Sequence, residues 1–349
     1  MSEDADDGVH EPLTTKEGWA RFVDADPVAT PLLARPRWLA LDEDARLAYD
    51  EARLDHHTRL AIVATPAICQ VTTTGRRLML LNRHQVSARR GLIVTGPTCT
   101  GKTTAVTQLG RSHQRAVRRR HPEDLSRLPV LYVTVPPAAT ARMLAVEFAR
   151  FLGLPLSVRS NQADVTNAVC GVLCDLRTDL VIVDEIHNLN LATRAGAEVS
   201  DQLKYLSERI PATFVYAGID VAGVGLFGGT RGRQIAGRFA TLPTAAFPYG
   251  SAAQRQQWQA LVTTLEQALR LHSHRAGTLL KLDSYLHQRT DGMIGSLSHL
   301  IRGAAIEAIL DGSETITKAT LDTVHLDHAA EHANLQRSRT RTPGRQAAS

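Results

Sequence analysis

Long apolar runs are missing from this chain, and none approaches the roughly 20 consecutive apolar residues that a bilayer crossing requires. The first twelve residues, MSEDADDGVHEP, are acidic and polar where a secretory leader would place positive charge before an apolar stretch. The expectation is a cytoplasmic protein with no membrane partner. Cysteine is scarce: Cys69, Cys99, Cys170 and Cys174 form no C-x-x-C pair and are too few for a disulfide framework in 349 residues. Reduced thiols are expected. The histidine runs His56–His57 and HSHR (His272 to Arg275) have no nearby cysteines and no H-E-x-x-H spacing, so both read as surface histidines. No helix-turn-helix, finger or basic-zipper pattern appears, which argues against sequence-specific base reading, and no fixed-period repeat appears either.

The composition itself is that of an ordinary globular protein, 43% hydrophobic and 21% charged. A net charge of +5 is compatible with an anionic partner without naming one. Residues 1–18 read as a disordered acidic tail and residues 329–349 as a disordered basic one. Residues 19–90 carry short helical patterns such as ALDEDARLAYDEARLDHHTRL, an N-terminal extension expected to dock against the domain of residues 91–248. Over residues 91–248, LIVT, VLYVTV, LVIVDE and TFVYAG alternate with longer helical stretches, which implies a parallel sheet covered by helices on both faces. Residues 249–328 turn helical, through AAQRQQWQALVTTLEQALRL to ITKATLDTV, and read as a small α-helical domain.

Directly after LIVT comes Gly96-Pro97-Thr98-Cys99-Thr100-Gly101-Lys102-Thr103-Thr104, which fits G-x-x-x-x-G-K-[ST]. Glycines at these positions let backbone N–H groups and the N-terminus of the next helix close on phosphates. Lys102 would supply a point charge on the β- and γ-phosphates, and the hydroxyl of Thr103 a ligand for Mg²⁺. In LVIVDEIHNL a buried strand delivers Asp184 to the metal and Glu185 to the attacking water. His187 completes DEIH, the tetrapeptide of DExH-type helicases. The chain has no room for a second helicase core domain, so His187 reads as a support for the acids or as a helix-start residue.

The segment GLFGGTRGRQIAGRF presents Arg231, Arg233 and Arg238. Transition-state charge on a transferred phosphoryl group calls for an added cation, and Arg238 first and Arg233 second are the candidates to supply it to a neighbouring subunit. The alternative is that these arginines are solvated or touch nucleic acid. At the end of TFVYAG the nearest polar residue is Asp220. Downstream of the phosphate loop, Arg111, Arg115, Arg118, Arg119 and Arg120 cluster in RSHQRAVRRRHPED, a pattern that neutralises phosphates without reading bases or else makes a solvated helix end.

Together GPTCTGKTT, LVIVDEIHNL, TFVYAGID, the arginine segment and the terminal helices resemble an AAA+ ATPase, a P-loop NTPase of α/β fold with a helical lid. RLDHHTRLAIVATPA, VTVPPAATARML, DQLKYLSERIPATFVYAGID and TDGMIGSLSHLIRGAAIEAI resemble, more narrowly, the TniB/TnsC family of transposition ATPases, over roughly Glu51 to His328. The resemblance implies a regulator that assembles with ATP on double-stranded DNA as a ring or helical filament and recruits or activates a DDE-type transposase. It also favours DNA contact by Arg115, Arg118, Arg119 and Arg120, joined by Thr140 and Arg142 of PPAATARM. Where related proteins carry a lid arginine that senses nucleotide, TDGMIG puts Gly295, leaving Ser296 or Arg302 to answer. The same engine also serves proteins that load or remodel a protein partner. A nucleotide-holding scaffold without turnover is disfavoured by the intact Lys102, Thr103, Asp184 and Glu185.

Overall fold

A computed structural model describes residues 11–26, 30–59, 61–157, 161–189, 194–221 and 237–327. Most of the acidic tail, the whole basic tail, and Arg231 and Arg233 therefore lie outside the described residues. No helix among the described residues is long and apolar enough to cross a membrane. The chain divides into two compact units, one of residues 1–26 with 66–244 and one of residues 27–65 with 245–349.

The first unit is built on five parallel strands: β1 (Gly91–Thr95), β2 (Val130–Thr134), β3 (Leu180–Asp184), β4 (Thr213–Gly218) and β5 (Phe239–Pro243), ordered β2-β3-β4-β1-β5. β3 and β4 are buried along their whole length, as continuous apolar runs require when both sheet faces are covered. The expected four strands are present. β5 is an addition: in FATLP no residue is fully buried, so it has no apolar run by which to be read.

Helices α1 (Lys16–Asp24), α4 (Pro66–Asn82), α5 (Lys102–Arg120), α6 (Ala141–Phe151), α7 (Gln162–Asp175) and α8 (Arg194–Arg209) belong to this unit. Trp19 of α1 is wholly buried, and its indole N–H donates to Gln114 Oε1 on α5 at 2.7 Å. α4 crosses α5 so closely at Gly75 that a Cβ there would stand 2.4 Å from Leu109 Cδ2.

The second unit holds α2 (Arg35–Leu39) and α3 (Glu43–Thr58) together with α9 (Ala252–Gln267), α10 (Asp283–Thr290), α11 (Ile294–Leu310) and α12 (Lys318–Thr323). Here the N-terminal extension departs from expectation. It does not dock as one piece, because α1 and α4 belong to the sheet unit while α3 is bound to the helical one. Arg53 of α3 is fully buried, and its guanidinium donates to both carboxylate oxygens of Glu314 at 2.7 and 2.8 Å. A buried guanidinium is tolerated only with such pairing, so the contact fixes where α3 lies.

The histidines expected on the surface are packing residues of this same unit. His57 is buried and accepts from the Arg270 backbone N–H at 3.2 Å. His274 pairs with Glu266 at 3.0 Å with both side chains almost fully covered, and His272 stacks on Trp38 at 4.2 Å. Arg302, considered as a nucleotide sensor, donates to the carbonyls of His57 and Thr58, and Ser296 donates to Asp327 at 2.7 Å.

Candidate nucleotide site

At the carboxyl end of β1 the chain must leave a buried strand and start α5 within six residues. It does so through left-handed backbone at Cys99 (φ 58°) and Gly101 (φ 86°). Gly96 passes so near the chain at Thr244 that a Cβ would meet its carbonyl oxygen at 2.1 Å. Thr100 locks the loop: its hydroxyl donates to Pro97 O at 2.8 Å and pairs with Thr244 Oγ1 at 2.8 Å. The loop therefore holds its shape through Thr100 and through Thr244, just after β5. Pro97, Thr98 and Cys99 are exposed along it, and Thr103 and Thr104 lie in the first turn of α5. The backbone N–H groups of such a helix start face an anion readily.

Lys102 is buried, with Nζ donating to Pro97 O at 2.6 Å. Burial pushes its ammonium below the usual lysine range, while Asp184 and Glu185 pull the other way. The Thr103 hydroxyl donates to Asp184 Oδ2 at 2.7 Å, so the residues expected to share a metal are adjacent. Asp184, almost fully buried at the end of β3, accepts two further bonds, from Tyr132 Oη at 3.1 Å to Oδ2 and from the Glu185 backbone N–H at 2.8 Å to Oδ1. The Tyr132 hydroxyl is driven well above its ordinary range, first by burial and then by the Asp184 charge, and so keeps the proton it donates to Asp184. One hydroxyl and one carboxylate at this spacing are hard oxygen donors suited to Mg²⁺, whose other ligands are mostly water and phosphate.

The structure brings residues 96–104, Asp184 and Glu185 together at one end of the sheet. Arg238 stands elsewhere. Its carbonyl accepts from the Gly91 N–H at 3.0 Å, at the start of β1, and strands of this length put roughly 16 Å between it and the phosphate loop. Arg238 lines a cavity of about 250 Å³ with Arg89, Arg90 and Lys204.

The arginine cluster on α5 is largely engaged. Arg111 donates to the carbonyls of Val23 and Ala25, Arg115 pairs with Asp26 at 2.8 Å, and Arg118 pairs with Asp24 at 2.5 Å. Arg119 and Arg120 are exposed, with no side-chain partner among the described residues. Thr140 caps α6 by accepting from the Met143 N–H at 3.2 Å, and Arg142 is exposed two residues on. Sequence reasoning missed Tyr132, whose signal was only an aromatic in the strand next to LVIVDE.

The family described as bacterial TniB protein matches residues 59–248. The chain belongs to that family. Comparison with curated protein sequences gives no match. Among solved structures, the Aeropyrum pernix ORC2 protein in ADPNP–ADP complexes is 17% identical with a TM-score of 0.56, over 76% of this chain and 66% of that one. The ORC1 protein of the same organism in complex with DNA is 18% identical with a TM-score of 0.56, over 79% and 67%. This TniB-family chain thus spans about two thirds of the length of those structures. At such identity the likeness is one of fold, and with the family it places the chain among AAA+ ATPases.

Proposed function

We propose that the chain is a Mg²⁺-dependent ATPase that assembles with ATP on double-stranded DNA, as a ring or helical filament, and recruits or activates a DDE-type transposase. The observation that carries the reading is the Thr103–Asp184 contact beside the phosphate loop, with Glu185 next in sequence. ATP phosphates lie along the N–H groups of residues 98–104, and Lys102 exchanges the Pro97 carbonyl for phosphate oxygens. Thr103 and Asp184 would hold Mg²⁺, which neutralises phosphate charge when bound. Glu185 takes a proton from the attacking water as the γ-phosphate separates from ADP. Arg238, remote from its own loop, serves the nucleotide of a neighbouring copy, with Arg233 as second candidate. Nucleotide then belongs to the contact between copies, and hydrolysis weakens that contact. Arg119, Arg120, Arg142 and the Thr140 hydroxyl face the DNA backbone, and Arg115 and Arg118 join them once released from Asp26 and Asp24.

A second reading, a loader or remodeller of a protein partner, is favoured by the internal pairing of Arg115 and Arg118. Duplex DNA binding separates the two. The transposition reading expects salt-sensitive binding that requires ATP and is lost in Lys102→Ala; DNA binding indifferent to ATP, or none, supports the protein remodeller.

A further inference from the structure

Glu185 is followed by a single 3-10 turn, Ile186–Asn188, whose contacts have no part in the hydrolysis steps above. Glu185 itself is left-handed, at φ 57° and ψ 34°. The Asn188 side-chain amide donates to Val135 O at 2.8 Å and fastens the turn beside β2. On the other side the turn lies against the end of β4. A Cβ on Gly218 would stand 2.7 Å from Ile186 Cγ2 and 3.1 Å from the backbone nitrogen of His187, so glycine is what admits this approach. The approach brings His187 Nδ1 to 3.3 Å from the Ile219 backbone N–H, which donates to it. A ring nitrogen that accepts carries no proton, and the proton of the imidazole is therefore on Nε2. Nε2 is 3.1 Å from Glu185 Oε2.

The end of β4 is tied in turn to the phosphate loop. The Gly96 N–H donates to Gly218 O at 3.3 Å, and the Val221 N–H donates to Thr95 Oγ1 at 3.1 Å. One imidazole thus accepts from the strand end that is bonded to the loop and donates to the carboxylate assigned to the attacking water.

We propose that His187 is a positioning residue for ATP hydrolysis: it orients Glu185 through Oε2, leaves Oε1 to the water, and ties that orientation to the β4 end. This rests on Glu185 as the base.

The test uses the full-length chain. His187→Phe keeps a ring of similar size without either bond, and His187→Gln restores an N–H toward Glu185. His187→Phe is expected to lower kcat about 10- to 100-fold, within the range of a mispositioned general base, while the Kd for a fluorescent ATP analogue changes less than about twofold. His187→Gln recovers most of the loss, and in a Glu185→Gln background His187→Phe costs nothing further. A normal or raised kcat in His187→Phe overturns the proposal, as does an equal further loss when His187→Phe is added to Glu185→Gln. A wild-type rate in Glu185→Gln removes the base and this inference together; a slow Glu185→Gln beside an unaffected His187→Phe removes only the inference.

Discussion

Asp184 Oδ2 is shared by two hydroxyls, Thr103 on one side and Tyr132 on the other. Tyr132 is itself immobilised by stacking on Trp19 at 5.7 Å, so the carboxylate is oriented from behind by a buried aromatic pair. Removing a group that orients a metal ligand ordinarily costs 10- to 100-fold in metal affinity. Tyr132→Phe is therefore expected to raise the Mg²⁺ concentration for half-maximal ATP turnover by about tenfold or more, with Mg²⁺-free nucleotide binding unchanged. An unshifted Mg²⁺ titration counts against that role. The phosphate loop and Asp184-Glu185 were legible in the sequence because their chemistry is bound to fixed spacing along the chain. Tyr132 and the His187 bond were not, because their partners are brought together by strand pairing and by the close approach at Gly218.

At the scale of elements, the apolar runs identified four strands, and β5 escaped because an exposed edge strand shows no such run. The N-terminal helices were legible as helices but their destinations were not, since those depend on single side chains, Trp19 for α1 and Arg53 for α3. α1 also reaches the basic face of α5, where Asp24 and Asp26 occupy Arg118 and Arg115. These pairs are exposed and contribute little to stability. If α5 meets DNA, Asp24→Asn with Asp26→Asn should strengthen duplex binding and steepen its salt dependence by up to about 1.8 log units per log unit of salt, two added phosphate contacts. Fluorescence anisotropy across a salt series measures both, and unchanged slopes would place the DNA face away from α5.

At the scale of the whole chain, the sheet unit and the helical unit each have their own core, and the histidines of the second were misread as surface residues because nothing in HH or HSHR tells of burial. His57 has consequences for pH. Burial, and next the neighbouring His56, Arg270, Arg53 and Arg302, push its imidazole from 6.5 down to about 3. Between those values the unfolded chain binds a proton that the fold refuses, so stability is complete above about pH 6.5 and falls as the pH drops below it. Thermal denaturation from pH 7.5 to 5 should show this loss, and His57→Gln, which retains an acceptor, should flatten it; parallel pH profiles for the two would contradict the assignment.

The claim on which the functional reading depends is that nucleotide at the phosphate loop joins one copy to the next on DNA. Electron microscopy of the purified chain with a non-hydrolysable ATP analogue, Mg²⁺ and plain duplex DNA tests it directly. Rings or helical filaments that vanish when the nucleotide is omitted are the predicted result, and single copies under the complete condition would contradict it.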